Sequence, residues 1–487
     1  MTRPKGSVKS GQVQVRAREV LVVGGGFGGV RAVKEMAKEP HLHITLIDRN
    51  NHHLFQPLLY QVATAGLSPG EIAVPIRTIF SRYSAVQILM MNVDRVNLAE
   101  QKIILSGGKE YHYDYLLLAC GAESNYFGHP EWEPLAPSLK SIRDALDIRR
   151  RILSAYEQAE SSASEEEKRF QLSFVVVGGG PTGVELAGAI SEIANTTLRS
   201  DFRNIFPEST MINLLEAGPR VLSSFASELS ARARDDLAQM KVNVHENCRV
   251  LSIQSGVVKT TSGEFRAANI FWTAGVKPSA LAASLGVPLD RQGRVIVKED
   301  LSLPQHPNVF VIGDMAHAEP PGGGEALPGV AAVAMQQGSY VGSLIRREIH
   351  GQATSGQWTG QATSGKATGQ ANLRLPFTYL DKGTMATIGR KRAVVQMGPH
   401  QRFRFTGFLA WLLWLFVHVA YLIGFRNKII VLFEWMWSYL TFSKGARLIV
   451  GHQPLDHQIM DHQVVDHQHQ RPKSKSKSEP GTDGGSF

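Results

Sequence analysis

Cysteine is almost absent from the 487-residue chain, with only Cys120 and Cys248. Two thiols make no C-x-x-C pair and no zinc spacing, which excludes a dithiol redox centre and a structural metal knot. Residues 1–18 carry no apolar stretch, so a secretory signal is not expected, although the arm is also poor in acids. There is no aromatic RNA-binding motif or recognition-helix pattern, and nucleic acid is not an expected partner. The net charge of +9 is modest and gathers in the N-terminal arm, the late aromatic region and the tail, a distribution that suits an anionic surface. Apolar runs are short as well: the longest, residues 408–425, only just reaches the length needed to span a bilayer.

Glycine, by contrast, is abundant, and its 46 copies are not scattered at random. Residues 20–29 read VLVVGGGFGG and residues 174–183 read FVVVGGGPTG. Each is an apolar strand running into G-x-G-x-x-G, as Gly24, Gly26 and Gly29 and again as Gly178, Gly180 and Gly183. Such glycines allow a tight strand-to-helix turn and let the backbone approach a pyrophosphate at the helix N-terminus. One fingerprint alone is weak, but two in one chain imply two dinucleotides, an arrangement suited to electron transfer between a nicotinamide and a flavin.

Asp48 and Glu216 each end a strand after a fingerprint, where a carboxylate can accept hydrogen bonds from ribose hydroxyls. A carboxylate repels a 2′-phosphate, so Glu216 favours NADH; Arg220, four residues on, leaves NADPH as the lesser alternative. Residues 309–314, VFVIGD, match the strand ending Gly-Asp that closes the FAD site in two-dinucleotide flavoproteins. Asp314 therefore orders the sites, with FAD on the first fingerprint and NADH on the second. Phe27, Arg49, Gly121 and Ala331 complete the expected FAD set, and Gly275 the expected NADH set.

The expected fold is α/β, with two Rossmann-like dinucleotide-binding domains, the second inserted in the first, plus a C-terminal amphipathic helical membrane-anchoring region. Its expected boundaries are a basic arm over 1–17, an FAD domain over 18–140 and 274–350, and an NADH domain over 141–273. A low-complexity insertion follows over 351–372, where GQATSG occurs twice, then a quinone-side and membrane region over 373–450. The tail over 451–487 repeats Asp-His-Gln and reads as solvated rather than metal-binding. Residues 161–168 read as a charged connector.

Residues 48–69, DRNNHHLFQPLLYQVATAGLSP, resemble the type II NADH:quinone oxidoreductases, the single-subunit, non-pumping NADH dehydrogenases. Residues 72–77 (IAVPIR), 178–188 and 380–390 (LDKGTMATIGR) agree, and the likeness covers about residues 18–450 outside the insertion. It implies FAD, NADH oxidation, quinone reduction, and peripheral, monotopic attachment to the cytoplasmic face of a bacterial inner membrane. Carried onto matching positions, the resemblance makes Glu185 the carboxylate near nicotinamide and flavin. Gln336 becomes the glutamine of the quinone-side helix, and Lys382 a residue lining the same region. Ala332 departs from the family's A-Q-x-A-x-Q pattern and removes its first glutamine.

Residues 408–425 and 429–442 read as two helices lying in the membrane interface, with Trp411, Trp414, Trp435 and Trp437 at the headgroup boundary. Arg402, Arg404, Lys428, Lys444 and Arg447 are placed to meet anionic lipid. A buried hairpin or a dimer interface is the alternative, and a homodimer is left open, as is the quinone type. Removal of residues 400–450 is expected to release the protein from membranes. A soluble NADH–ferredoxin-type reductase and a redox-sensing flavoprotein signalling through a partner remain as competing functions. Cys120 reads as a small packing residue, since Cys248 lies in the other domain and no polysulfide chemistry is supported.

Overall fold

The computed structural model describes residues 17–350, 374–398, 401–441 and 446–449. The expected insertion, most of the basic arm, Lys444 and the tail lie outside the described residues.

The strand Arg18–Val23 is buried from Val20 onward and forms the middle of a six-stranded sheet. Its order is Ser302–Leu303, His306–Val311, Tyr115–Leu118, Arg18–Val23, Leu42–Asp48 and Val86–Met90. All neighbours run parallel except the short Ser302–Leu303 edge. The strand leading to Asp314 thus pairs with Tyr115–Leu118, nearly two hundred residues upstream. Between them sits a second, all-parallel sheet, ordered Val242–His245, Met211–Leu215, Ser173–Val177 and Asn269–Trp272. Buried parallel strands with helices on their faces explain the near-continuous apolar runs. The chain crosses between the two sheets twice, and the crossings pair with each other: Ala122–Ser124 is antiparallel to Val276–Pro278.

A third, antiparallel sheet (Thr384–Gly389, Arg392–Met397, Phe403–Thr406) packs on the second fingerprint helix, Pro181–Glu192. Gly188 makes that packing feasible, because a Cβ there would lie 2.9 Å from the Ile388 carbonyl oxygen. The first fingerprint helix, Phe27–Met36, runs beside the long helix Ala331–Ile349 with backbones in close contact. A Cβ on Gly338 would lie 2.2 Å from the Gly28 carbonyl oxygen, and one on Gly342 would lie 2.8 Å from that of Ala32. The two helices are therefore parallel, with both N-termini at one end.

The connector at residues 161–168 is not a plain loop. A helix, Glu165–Gln171, starts there because the Ser164 hydroxyl accepts from the Glu167 N–H and three glutamates fill the first turn.

The C-terminal apolar stretch forms two helices, Gly407–Tyr421 and Phe425–Thr441. No helix among the described residues is long and apolar enough to cross a membrane. Their amphipathicity differs from the expected one in a specific way. Trp414 is only 2% exposed and belongs, with Ala410, Leu422 and Val431, to the same core as the second fingerprint helix. It stacks on His418 at 4.2 Å and meets Trp435 at 5.5 Å, so it is a core residue and not a headgroup contact. The opposite side is bare, with Leu409 and Phe416 at 70% exposure and Phe425 at 79%. Two of the basic residues are also engaged within the protein, Arg404 with Glu228 and Arg447 with Asp201.

Candidate functional site

Both fingerprints are built on the same local geometry. Gly24 sits at φ +107°, and a Cβ there would lie 2.3 Å from the Ala119 carbonyl oxygen. Gly26, by contrast, faces open space above the start of its helix, with nothing within 4 Å of an added Cβ. Gly29 packs directly on Gly24, leaving 1.9 Å between a Cβ and the Gly24 carbonyl oxygen. Asp48 ties the loop down: one carboxylate oxygen accepts from the Gly25 N–H at 2.6 Å and the other from the Asn50 N–H at 2.6 Å. In the second unit Glu216 repeats the arrangement, accepting from Gly179 N–H at 2.7 Å and Gly218 N–H at 2.6 Å. The acids thus shape the loops from the strand ends at which ribose contacts were expected. Gly183 leaves 1.8 Å for a Cβ against the Gly178 carbonyl oxygen. Gly183→Ala is expected to weaken NADH binding about tenfold or more while the flavin is retained, as read by NADH titration of the holoprotein.

A cavity of about 2750 Å³ opens over the first fingerprint. Its wall brings together Gly24, Gly26, Phe27, Asp48, Arg49 and Gly121 with Asp314 and Ala331, and Glu185 and Lys382 join the same wall. Gly29 stays behind the loop. Gly178, Gly180, Gly183, Glu216 and Gly275 are not on this wall; the second unit reaches it through Pro181, Thr182, Glu185 and Ser224 and through the start of the 141–273 segment. Gly275 instead makes room for the Phe127 ring, which would lie 2.5 Å from a Cβ. The volume exceeds that of an ordinary small-molecule pocket several-fold, which is ample for an extended dinucleotide. The open Gly26 cradle at a helix N-terminus and the carboxylate at the strand end fit FAD on this first unit.

Glu185 lies one turn into the second fingerprint helix and accepts from the Thr387 N–H at 3.4 Å. Burial among protein atoms penalises its anion and pushes its pKa up to about 8, with the Thr387 contact only partly opposing. Asp314 is likewise raised by burial, opposed by Lys140 and Arg294. Lys140, which the motifs do not flag, lines the cavity with its own pKa lowered by burial and supported by Asp314. Gln337 is equally unflagged: it is buried, and its side-chain oxygen accepts from the Gly313 N–H at 2.7 Å, fixing the turn that presents Asp314. Cys120 lines the cavity too, and burial lifts its thiol to about 12, so it is neutral.

Gln336 is engaged at both ends of its amide. Its amide donates to the Leu380 carbonyl at 3.0 Å and accepts from the Leu380 N–H at 3.0 Å. Both ends are thereby used to hold the segment that carries Lys382. Lys382 in turn donates to the Tyr421 hydroxyl at 3.0 Å and sits 5.6 Å from that ring's centre.

A second cavity of about 1160 Å³ runs between the first fingerprint helix, the Ala331–Ile349 helix and the turn joining the two C-terminal helices. Phe27, Ala332, Met335, Leu380, Lys382 and Tyr421 belong to the walls of both cavities. The two spaces therefore share one wall.

A family model described as pyridine nucleotide-disulphide oxidoreductase matches residues 18–338, and one described as the NDH2 C-terminal domain matches residues 382–442. The chain is 42% identical over 450 residues to the type II NADH:quinone oxidoreductase Ndh of Mycobacterium tuberculosis, covering 90% of this chain and 91% of that one. It is 40% identical over 443 residues to NdhA of the same organism, covering 88% and 89%. The fold also matches NDH2 of Plasmodium falciparum solved with NADH, with a TM-score of 0.77 at 20% identity over 90% of this chain and all of that one.

Proposed function

Because the chain belongs to the type II NADH:quinone oxidoreductase family, we propose that it oxidises NADH and reduces a quinone through FAD, from the surface of a membrane. The observation that carries this reading is the pair of cavities sharing one wall. One is lined by dinucleotide-binding loops, and the other is apolar and opens at the exposed C-terminal helices.

The reaction balances as NADH + H⁺ + quinone → NAD⁺ + quinol. FAD, when bound, supplies the two-electron chemistry that neither substrate can perform alone on a protein side chain. The chain's own residues do the rest. Asp48 and the Gly24–Gly26 turn hold one dinucleotide; Glu216 and the Gly178–Gly180 turn hold the other and, being anionic, disfavour a 2′-phosphate. The N-terminus of Ala331–Ile349 directs its unpaired N–H groups at the first cavity, where they favour negative charge. Glu185, neutral near pH 7, holds a proton within the cavity wall. Gln336 fixes Leu380, which keeps Lys382 at the partition between the cavities. Lys382 and Tyr421 are placed to donate hydrogen bonds to a quinone oxygen on the apolar side.

The bare faces of Gly407–Tyr421 and Phe425–Thr441, next to Lys428, support a monotopic seat in one leaflet, consistent with the cytoplasmic face of a bacterial inner membrane. There the apolar cavity would open where a lipid-soluble substrate resides.

The test is the rate of NADH oxidation by the flavin-loaded protein with and without a short-tailed quinone. A large acceleration is expected, and a rate indifferent to quinone would remove this function.

A further inference from the structure

The apolar cavity continues well past the point where a quinone ring could meet the flavin side. From Gln336 to Arg347 it follows one helix for eleven residues, a rise of about 16 Å. Its near end is bounded by Phe27, Ala332 and Lys382; beyond it the wall is basic, with Arg31 level with Ser339, Lys34 and Arg347 farther along, and Lys428 at the turn between the C-terminal helices. An isoprenoid tail carries no charge that would repay such a lining.

The far cations differ in how they are satisfied. Arg31 is paired with Glu35 at 2.9 Å and donates to the Ser339 hydroxyl at 2.6 Å. Lys428 donates to the Ala420 carbonyl at 2.7 Å. Arg347 has only the Ser343 carbonyl of its own helix, at 3.3 Å, and no carboxylate partner among the described residues. Lys34 is half-buried, and no hydrogen bond or ion pair joins it to another described residue. Burial, with Arg31 beside it, holds its pKa below the usual lysine range, the condition of a cation lacking a counter-charge. Apolar wall lies immediately alongside, in Val30, Phe377, Ile423 and Phe425.

We propose that the far end of this groove seats one anionic phospholipid, its phosphate on Lys34 and Arg347 and one acyl chain along the apolar wall. The inference rests on the membrane-surface reading given above. It places a specific lipid site on the two parallel helices, beside the turn that joins the C-terminal pair. Charge complementarity and continuity with the bare face at Phe425 favour a lipid over a soluble anion.

The site is tested by native mass spectrometry of the full-length, flavin-loaded protein released from micelles containing phosphatidylglycerol or phosphatidylcholine. One retained phosphatidylglycerol per chain is expected, with Lys34→Gln plus Arg347→Gln cutting its occupancy roughly 30-fold, about fivefold per cation. Lys34→Arg keeps the charge and is expected to keep both lipid and flavin, which separates lost charge from lost fold. Equal retention of phosphatidylcholine, undiminished binding in the double variant, or displacement by inorganic phosphate would overturn the proposal. So would displacement by a long-tailed quinone, which would assign the groove to the quinone's tail. Counting lipids needs no turnover. A lack of quinone-stimulated NADH oxidation in the same samples would instead sink the enzymatic reading, whatever the lipid count.

Discussion

Glu185→Gln is expected to lower kcat by about 10²- to 10⁴-fold while moving the KM for NADH by less than about threefold. The substitution keeps the size of the side chain and its contact with the Thr387 N–H, so the helix and the loop before it are undisturbed. What it removes is a transferable proton. A carboxyl with a pKa of about 8 is mostly neutral at pH 7, which makes it an acid rather than a base in the resting enzyme. Quinone reduction consumes one proton beyond the hydride, and Glu185 stands on the wall of the cavity where electrons enter. The sign of the pH effect follows. Because burial raises the pKa, the competent neutral form is lost as pH climbs through about 8. Wild-type kcat is therefore expected to fall on the alkaline side with that midpoint, and the glutamine variant to lack that limb. A variant with wild-type kcat and the same alkaline fall would take Glu185 out of the mechanism.

Replacing Leu409, Phe416 and Phe433 together by glutamate is expected to detach the protein from lipid vesicles and leave the folded enzyme intact. Each side chain stands on the bare side of the C-terminal helices, at 70%, 70% and 55% exposure. Burying such a group in lipid is worth about 2 kcal/mol, so losing three removes roughly 6 kcal/mol, or about 10⁴ in partitioning, before any cost for the new charges. Removing residues 400–450 is the cruder experiment, and the structure shows why it would mislead. That span includes Ala410, Trp414, Leu422 and Val431, which fill the core beneath the second fingerprint helix. Losing a buried tryptophan alone costs about 3–5 kcal/mol, so release after deletion would not separate detachment from unfolding. Vesicle co-flotation reads the triple variant, with quinone-stimulated NADH oxidation in detergent as the control. Full flotation of a folded triple variant would show that the bare face is not the anchor.

Short-range features were the legible ones. A strand, three glycines and a terminal acid lie within about thirty residues in the first unit and about forty-five in the second, and the glycine spacing follows from backbone sterics. Asp48 and Glu216 could be picked out for that reason, although their bonds to Gly25 and Gly179 were not foreseen. Asp314 was legible because a strand ending Gly-Asp has a shape of its own. Lys140 and Gln337 were not, since they matter only where distant segments fold onto the Gly313 turn. Trp414 shows the same limit from the other side. In a stretch apolar all round, nothing local distinguishes the residue facing the core from the one facing outward. Gln336 was found by resemblance, but its clamp on Leu380 depends on a chain reversal forty-four residues away. Lys34 had no signal at all, because an amphipathic helix usually carries a lysine there in solvent.

The paired crossings, Ala122–Ser124 against Val276–Pro278, have a mechanical meaning. Two antiparallel strands joined by backbone hydrogen bonds form a ribbon, compliant across its face and stiff to sliding or twisting in its plane. The second unit does not hang from that ribbon alone, since its core is continuous with Phe55, Leu58 and Ile72 of the first unit and with Ile388 and Val394 of the C-terminal sheet. The chain therefore enters and leaves the second unit at one place, and the register of the two crossings fixes both linkers against each other.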